Sequence, residues 1–331
     1  MNEELEFERL SELVWGFQPS RIFLTAVELD VFTHVGHGSR SASEVAGSLG
    51  ASLRGTEILL NSLAGLGLLS KSQGRFSNTP LTLRFLVAGA PDYALTGFKH
   101  SANLWRAWSN LTEVVKTGRV DRPPMSDEDA KDSTESFIML MHERARYRAP
   151  KVADAIDLSY TMSVLDIGGG PGTHSMEFAI RKPELCAVVF DLTEVVGIAG
   201  RLIREAGLQE RVTVKPGDYY TDDFGRGYDL AFLSAIVHSN SAEGNVHILK
   251  KAHEALQPGG RVAIVDFIMD DEKIKPEFGA VFAVNMLVAT DAGNCYNEKE
   301  IEEWFAEAGF VNPSVKYEID EDISLIMAMK P

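Results

Sequence analysis

The run Val164-Leu165-Asp166-Ile167-Gly168-Gly169-Gly170-Pro171-Gly172 narrows the possible folds more than any other part of the sequence. It reads as a buried strand entering a glycine-rich turn and then a helix, the arrangement in which a parallel sheet lets backbone pass close to a ligand. Side chains at 168, 170 and 172 would block a nucleotide-sized molecule, and the Asp166 carboxylate just before them can accept from a cationic or hydroxylated one. A dinucleotide site asks for G-x-G-x-x-G. Here Thr173 or Ser175 stands where the last glycine belongs, and the pattern is D-x-G-x-G-x-G instead.

From Ser163 onward apolar strand runs alternate with helical patterns, which predicts an α/β domain with a parallel sheet covered on both faces. Strands are expected at about 163–168, 186–192, 212–217, 228–236 and 261–268, and an edge pair near 314–319 and 323–329. Only the acidic turn Asp320-Glu321-Asp322 separates that last pair, so it should be an antiparallel hairpin. Between the strands lie helices. In the one expected over 297–308, Asn297 and Glu300 form a capping-box pattern, Ile301, Trp304, Phe305 and Ala308 recur on one face, and Gly309 stops it.

The first half differs in kind. Ser41-Ala-Ser-Glu44 is a second capping box opening a short helix that ends at Gly50; a longer amphipathic helix, Leu53 to Leu66, carries Ile58, Leu59, Leu63 and Leu66; residues 67–77 read as a small hairpin. Helix, turn, helix and hairpin make a winged helix. One reading is DNA recognition. The other, a structural or dimerisation module, is favoured because the second helix offers Arg54 and little other positive charge. A chain of 331 residues exceeds one comfortable core, and the expected division is 1–150 and 151–331. Residues 117–135 read as an exposed loop and 134–158 as the helical connector.

Charge and cysteine usage exclude some classes. The net charge of −16 is carried mostly by the second half, with 16 basic and 30 acidic residues against 16 and 18 in the first. Such a surface repels nucleic acid and mildly favours a cationic ligand. Two cysteines, Cys186 and Cys295, imply neither a disulfide framework nor a cysteine-rich zinc site. No run of eighteen apolar residues occurs and the N-terminus is acidic where a signal peptide is basic, so a cytoplasmic protein without membrane partner is expected.

Two further strand ends carry suitable chemistry. Val188-Val189-Phe190-Asp191-Leu192 places an acid nineteen positions beyond Gly172, where a carboxylate can hold both ribose hydroxyls of a nucleoside. Gly217-Asp218-Tyr219-Tyr220 adds a second acid and an aromatic face suited to adenine. Each alone reads equally well as a helix cap; three in order on one sheet point to a nucleoside site. The glycine pattern resembles motif I of the class I S-adenosylmethionine (SAM) dependent methyltransferases. Nearly the whole chain resembles the O-methyltransferase family that includes caffeic acid, hydroxyindole and bacterial antibiotic-tailoring enzymes.

That resemblance implies a Rossmann-like seven-stranded methyltransferase sheet with a C-terminal antiparallel hairpin, SAM as cofactor, a small-molecule acceptor, and a homodimer formed through the winged-helix half. It implies cofactor contacts at Asp166, Gly168, Gly170, Gly172, Asp191, Leu192, Asp218 and Tyr219, with Ser234 standing where the family often has a lysine or arginine. His238 matches the family's general base and Asp266, 28 residues on, the acid that orients it; Asp266 is shorter than the more usual glutamate and needs a closer backbone to reach. Ser239-Asn240 replaces the usual Asp-Trp, and Cys295 replaces a further acid. The segment Phe137-Ile-Met-Leu-Met141-His142 resembles one that lines the acceptor pocket in bacterial members, although such spacing also reads as plain core. The apolar helix 278–290 suits a pocket wall with Asn285 and Met286 as contacts, while His247, Lys250, Lys251 and His253 read as surface or packing residues.

Methyl transfer from a sulfonium needs alignment of nucleophile and methyl, and a base for the acceptor's proton. The fourth strand ends in Val-His-Ser-Asn, not the clustered Asp and Asn of the metal-dependent class, so a histidine base without metal is expected. Two alternatives stay open: a SAM-dependent C- or S-methyltransferase, and a winged-helix regulator that senses SAM without catalysing.

Overall fold

The computed structural model describes residues 3–120, 126–314 and 316–331; positions 121–125 of the expected 117–135 loop lie outside the described residues. The chain divides into two compact units, 1–103 and 104–331.

The first unit contains α1 (Glu3–Trp15), α2 (Phe17–Glu28), α3 (Val31–Val35), β1 (Ser39–Ser41), α4 (Ala42–Leu49), α5 (Leu53–Gly65), β2 (Leu69–Ser72), β3 (Arg75–Asn78) and α6 (Pro80–Phe85); α7 (Leu95–Ser109) runs from it into the second. The expected capping box forms: Ser41 N–H donates to Glu44 Oε2 at 2.6 Å and Glu44 N–H to Ser41 Oγ at 3.3 Å. Strands β2 and β3 make the wing hairpin, and β1 adds to β3 in a three-stranded antiparallel sheet. The buried face of α5 is Thr56, Leu60 and Leu63, whereas Ile58 and Leu66 are 51% and 42% exposed. The expected face is therefore rotated, because Leu60 and Leu63 at i, i+3 already fill the core beside Phe32, Val45 and Phe76.

The second unit adds α8 (Leu111–Thr117), α9 (Asp127–Ala155), β4 (Ser163–Ile167), α10 (Thr173–Arg181), β5 (Cys186–Asp191), α11 (Thr193–Glu205), β6 (Val212–Pro216), β7 (Tyr228–Ser234) and α12 (Ala242–Ala255). It continues with β8 (Leu256–Asp266), β9 (Ile268–Met269), α13 (Glu277–Ala289), β10 (Tyr296–Asn297), α14 (Glu298–Glu307), β11 (Tyr317–Glu318) and β12 (Ser324–Met329). Helix α9 begins inside the expected loop. Ser126 caps it by accepting from Asp129 N–H at 3.1 Å, and Asp127, Glu128 and Asp129 occupy a first turn where negative charge suits the exposed amides. Because α9 packs on α10 and α11, it belongs with the second unit, and the observed division falls at 103/104 in place of the 150/151 expected from sequence.

The large sheet has the order β11-β12-β8-β7-β4-β5-β6. All pairs from β8 to β6 are parallel, while β12 runs antiparallel to β8 from Ser324↔Asp266 to Met329↔Arg261 and closes the hairpin with β11. Each face carries its own apolar core, Phe178, Val189 and Phe232 on one side and Phe190, Leu233 and Phe305 on the other. A small parallel pair, β9 with β10, has no counterpart in the sequence reading. Strand order reverses at β4, which has β5 on one side and β7 on the other, so a crevice opens at the carboxyl ends of these strands. Among the described residues no helix is long and apolar enough to cross a membrane.

Candidate active site

Every residue singled out at a strand end lies at the carboxyl edge of this sheet: the glycine turn after β4, Asp191 at the end of β5, Asp218 after β6, His238 after β7 and Asp266 at the end of β8. Parallel strands put these ends side by side, so chemistry spread over a hundred residues of sequence meets on one rim.

Two glycines in the turn have specific physical reasons. Gly168 sits at φ 64°, and a Cβ there would stand 2.3 Å from Ile236 Cδ1. At Gly169 an added Cβ would meet the Asp166 carboxyl carbon at 2.6 Å. The turn therefore lies directly on both the Asp166 side chain and the segment leading to His238. Gly172 packs on Val189, while a Cβ on Gly170 would find only Ile138 at 3.9 Å, leaving room on that side. Asp191 holds the turn from the neighbouring strand, its Oδ2 accepting from Gly170 N–H at 2.8 Å and its Oδ1 from Leu192 N–H at 2.7 Å; Leu192 itself is exposed. Burial raises the Asp191 carboxyl above its ordinary range.

Asp166 is 2% exposed and accepts from Ser175 Oγ–H at 2.6 Å, which makes it a strut beneath the loop. Burial, aided by the charge of Asp191, pushes its carboxyl up to about 7. The three residues after the turn each anchor a different element: Thr173 Oγ1 pairs with His142 Nδ1 of α9 at 2.8 Å, His174 Nε2 with Ser234 Oγ of β7 at 3.3 Å, and Ser175 with Asp166 of β4. Thr173 and Ser175 are the residues that spoil a dinucleotide motif, and their hydroxyls bind the loop to its surroundings. Met141, beside His142, is half-buried.

Burial lowers both histidines, His142 to about 4 with help from Arg146 and His174 to about 3 with help from Arg148. Both rings are thus neutral beside the turn and add no positive charge to it. The unfolded chain takes up these protons near 6.5, so it binds more protons than the folded state at lower pH, and stability drains away as pH falls from 6.5 toward 4 and 3. Asp166 acts in the opposite sense between 3.8 and about 7. Comparison with a variant isolates the histidine contribution: the urea midpoint of the wild type should drop further between pH 7 and pH 4 than that of His174→Gln, and equal drops would exclude a buried neutral ring at 174.

Across the crevice, His238 Nδ1 lies 2.7 Å from Asp266 Oδ1, and both side chains are buried. The same oxygen accepts from Phe267 N–H at 2.8 Å, while Oδ2 lies 3.4 Å from His238 N–H. The close backbone that the short aspartate needs is present, since Ala235 N–H donates to Val265 O at 2.9 Å. An Nδ1–H held by a carboxylate leaves Nε2 as the basic nitrogen. Phe282 of α13 stands edge-on to the imidazole at 4.8 Å, with Phe267 at 6.1 Å. Neither phenylalanine was foreseen. Cys295 is buried, and burial together with the Asp266 charge pushes its thiol up to about 12, so it stands there as a neutral group. On α13, Met286 is buried and Asn285 accepts from Trp108 Nε1–H at 3.0 Å.

Asp218 accepts from Tyr220 N–H at 2.7 Å and so turns the two tyrosines. Both hydroxyls donate to Asn240 Oδ1, from Tyr219 at 3.1 Å and from Tyr220 at 2.6 Å, and burial pushes the Tyr219 phenol up to about 12. The side chains of His247 and Lys251 bond the carbonyls of Tyr220 and Tyr219 at 2.9 Å and 2.6 Å.

A glycine turn at the switch point, with acids on the next two strand ends and a histidine–aspartate pair opposite, defines the nucleoside-binding methyltransferase class. Comparison with known proteins makes this specific. A family profile described as an O-methyltransferase domain matches residues 108–311, and one described as an O-methyltransferase dimerisation domain matches residues 11–88. The 3-hydroxy-5-methyl-1-naphthoate 3-O-methyltransferase of Streptomyces sahachiroi is 33% identical over 306 residues, covering 91% of this chain and 88% of that protein. Human N-acetylserotonin methyltransferase in complex with SAM superposes with a TM-score of 0.85 at 25% identity, covering 98% and 97% of the two chains. PigF with SAH does so with a TM-score of 0.89 at 26% identity, covering 98% and 99%. The chain belongs to the O-methyltransferase family; it is a SAM-dependent O-methyltransferase of small molecules carrying that family's dimerisation domain.

Proposed function

We propose that the enzyme methylates a hydroxyl of a small aromatic or polyketide-like acceptor without a metal, using His238 as general base and Asp266 to orient it, and that it works as a homodimer. The observation that carries this reading is the buried His238–Asp266 pair at 2.7 Å, on a segment whose Ile236 side chain touches the cofactor turn at Gly168. The turn fits SAM: backbone is brought close by Gly168 and Gly169, space is left at Gly170, and the flanking histidines are uncharged.

When bound, SAM supplies an electrophilic methyl on sulfur. The protein's part is to orient and to manage one proton. Asp266 keeps Nδ1 protonated, Nε2 takes the acceptor's hydroxyl proton as oxygen attacks, and Asp266 stabilises the imidazolium that results. Phe282 and Phe267 flank the ring with apolar surface, which strengthens the interaction between imidazolium and carboxylate. Asp166 and Asp191 brace the turn that aligns the donor. An aromatic acceptor is supported by these rings and by the relative whose acceptor is a hydroxynaphthoate. Incubating the protein with labelled SAM and a panel of phenols, with EDTA present, should yield a methyl ether at the rate seen without chelator, from a species that light scattering reads as a dimer. A rate abolished by EDTA and restored by a divalent ion would reject the metal-free reading.

A further inference from the structure

The turn between β7 and α12 that carries His238 is fixed by asparagines at three successive carbonyls. Ile236 O accepts from Asn240 Nδ2–H at 2.9 Å, Val237 O from Asn245 Nδ2–H at 2.9 Å, and His238 O from Asn294 N–H at 2.9 Å. Among these, Asn240 reaches furthest. It is 4% exposed, its Oδ1 accepts from the hydroxyls of both Tyr219 and Tyr220, and its own carbonyl accepts from Tyr296 O–H at 2.6 Å. The orientation of the amide is set by this network, because a flipped amide would put oxygen against Ile236 O. One buried side chain thus ties the segment after β6, on the nucleoside side of the crevice, to the backbone two residues before the imidazole.

We propose that Asn240 is a positioning residue that couples the tyrosine pair after β6 to the base-bearing turn, so that the placement of His238 depends on the ordering of Tyr219 and Tyr220. This rests on His238 being the base. Asn240→Asp separates the two arms: a carboxylate still accepts from both tyrosines but cannot donate to Ile236 O, and repels it instead. Single-turnover rates are measured with saturating SAM and acceptor for the wild type, Asn240→Asp, His238→Ala and the double variant, with SAH affinity by calorimetry. The expected result is a rate about 10–100-fold lower for Asn240→Asp, the cost of shifting a reacting group by a fraction of an ångström to an ångström. SAH affinity should change little, and adding Asn240→Asp to His238→Ala should lower the residual rate less than about twofold, as for residues acting through one group.

Loss by the same factor in both backgrounds would overturn the coupling while leaving His238 as base. A His238→Ala rate equal to wild type would refute the base itself, independently of Asn240. Tyr219→Phe with Tyr220→Phe, which removes two hydroxyls and keeps the amide bond to Ile236, should lower the rate with acceptor KM unchanged. An unchanged rate in that variant would also overturn the proposal.

Discussion

Replacing His238 by alanine should lower the rate of methyl transfer about 10²–10⁴-fold while leaving SAH affinity close to that of the wild type, the span expected for loss of a positioned general base. The separation of the two effects follows from geometry. His238 is held by Asp266 and by the apolar ring of Phe282, whereas the hydrogen bonds at and around the glycine turn run to Phe190, Asp191, Ser175, His142 and Ser234. Rapid-quench measurement of one turnover, with calorimetric titration of SAH in parallel, separates the two. A variant retaining most of the rate with cofactor bound would point to an acceptor atom that needs no deprotonation, as in carbon or sulfur methylation.

The second large effect is expected at Gly168. An alanine there must adopt φ 64°, at a cost of roughly 1–2 kcal/mol for an L-residue. It must also displace Ile236, whose Cδ1 would stand 2.3 Å from the new methyl, at a further cost on the order of 1–3 kcal/mol. Some of that displacement can be taken up only by moving the turn or the base segment, so Gly168→Ala should weaken SAM binding by more than tenfold and lower the rate as well. Equilibrium dialysis with labelled SAM and a urea melt on the same sample check it; wild-type affinity and midpoint would show that the turn is not packed as described.

How much of this was readable beforehand depends on how local the information is. Strand, glycine turn and helix at 163–175, and the acids at 191 and 218, are encoded in short windows, and alternation of apolar runs implies a parallel sheet that lines them up. The His238–Asp266 pair required knowing that β7 and β8 are neighbours, which the family pattern supplied and periodicity did not. Thr173 and Ser175 looked only like departures from another motif, because their partners lie 31 and 9 positions away in sequence and on other elements. Asn240 looked like a lost tryptophan for the same reason: its two phenol partners come from a different strand end. By contrast, the early start of α9 was visible in Ser126 and the three acids after it, and was overridden by the nearby prolines. The face of α5 was legible only in part, with Leu63 and Leu59 toward the core but Leu60 missed, because leucines at 59, 60, 63 and 66 allow several stripes and only tertiary packing chooses among them.

Ala235, the residue that opens the turn carrying His238, is held at φ 58° with a side chain that disfavours it. Glycine would relieve about 1 kcal/mol of that strain, yet would give the unfolded chain and the turn itself more freedom. The two effects oppose each other, and alanine leaves the turn under the imidazole stiffer than glycine would. Attempts to make the enzyme hardier by relaxing awkward backbone should therefore pass over position 235, because a looser turn there would loosen the seat of His238.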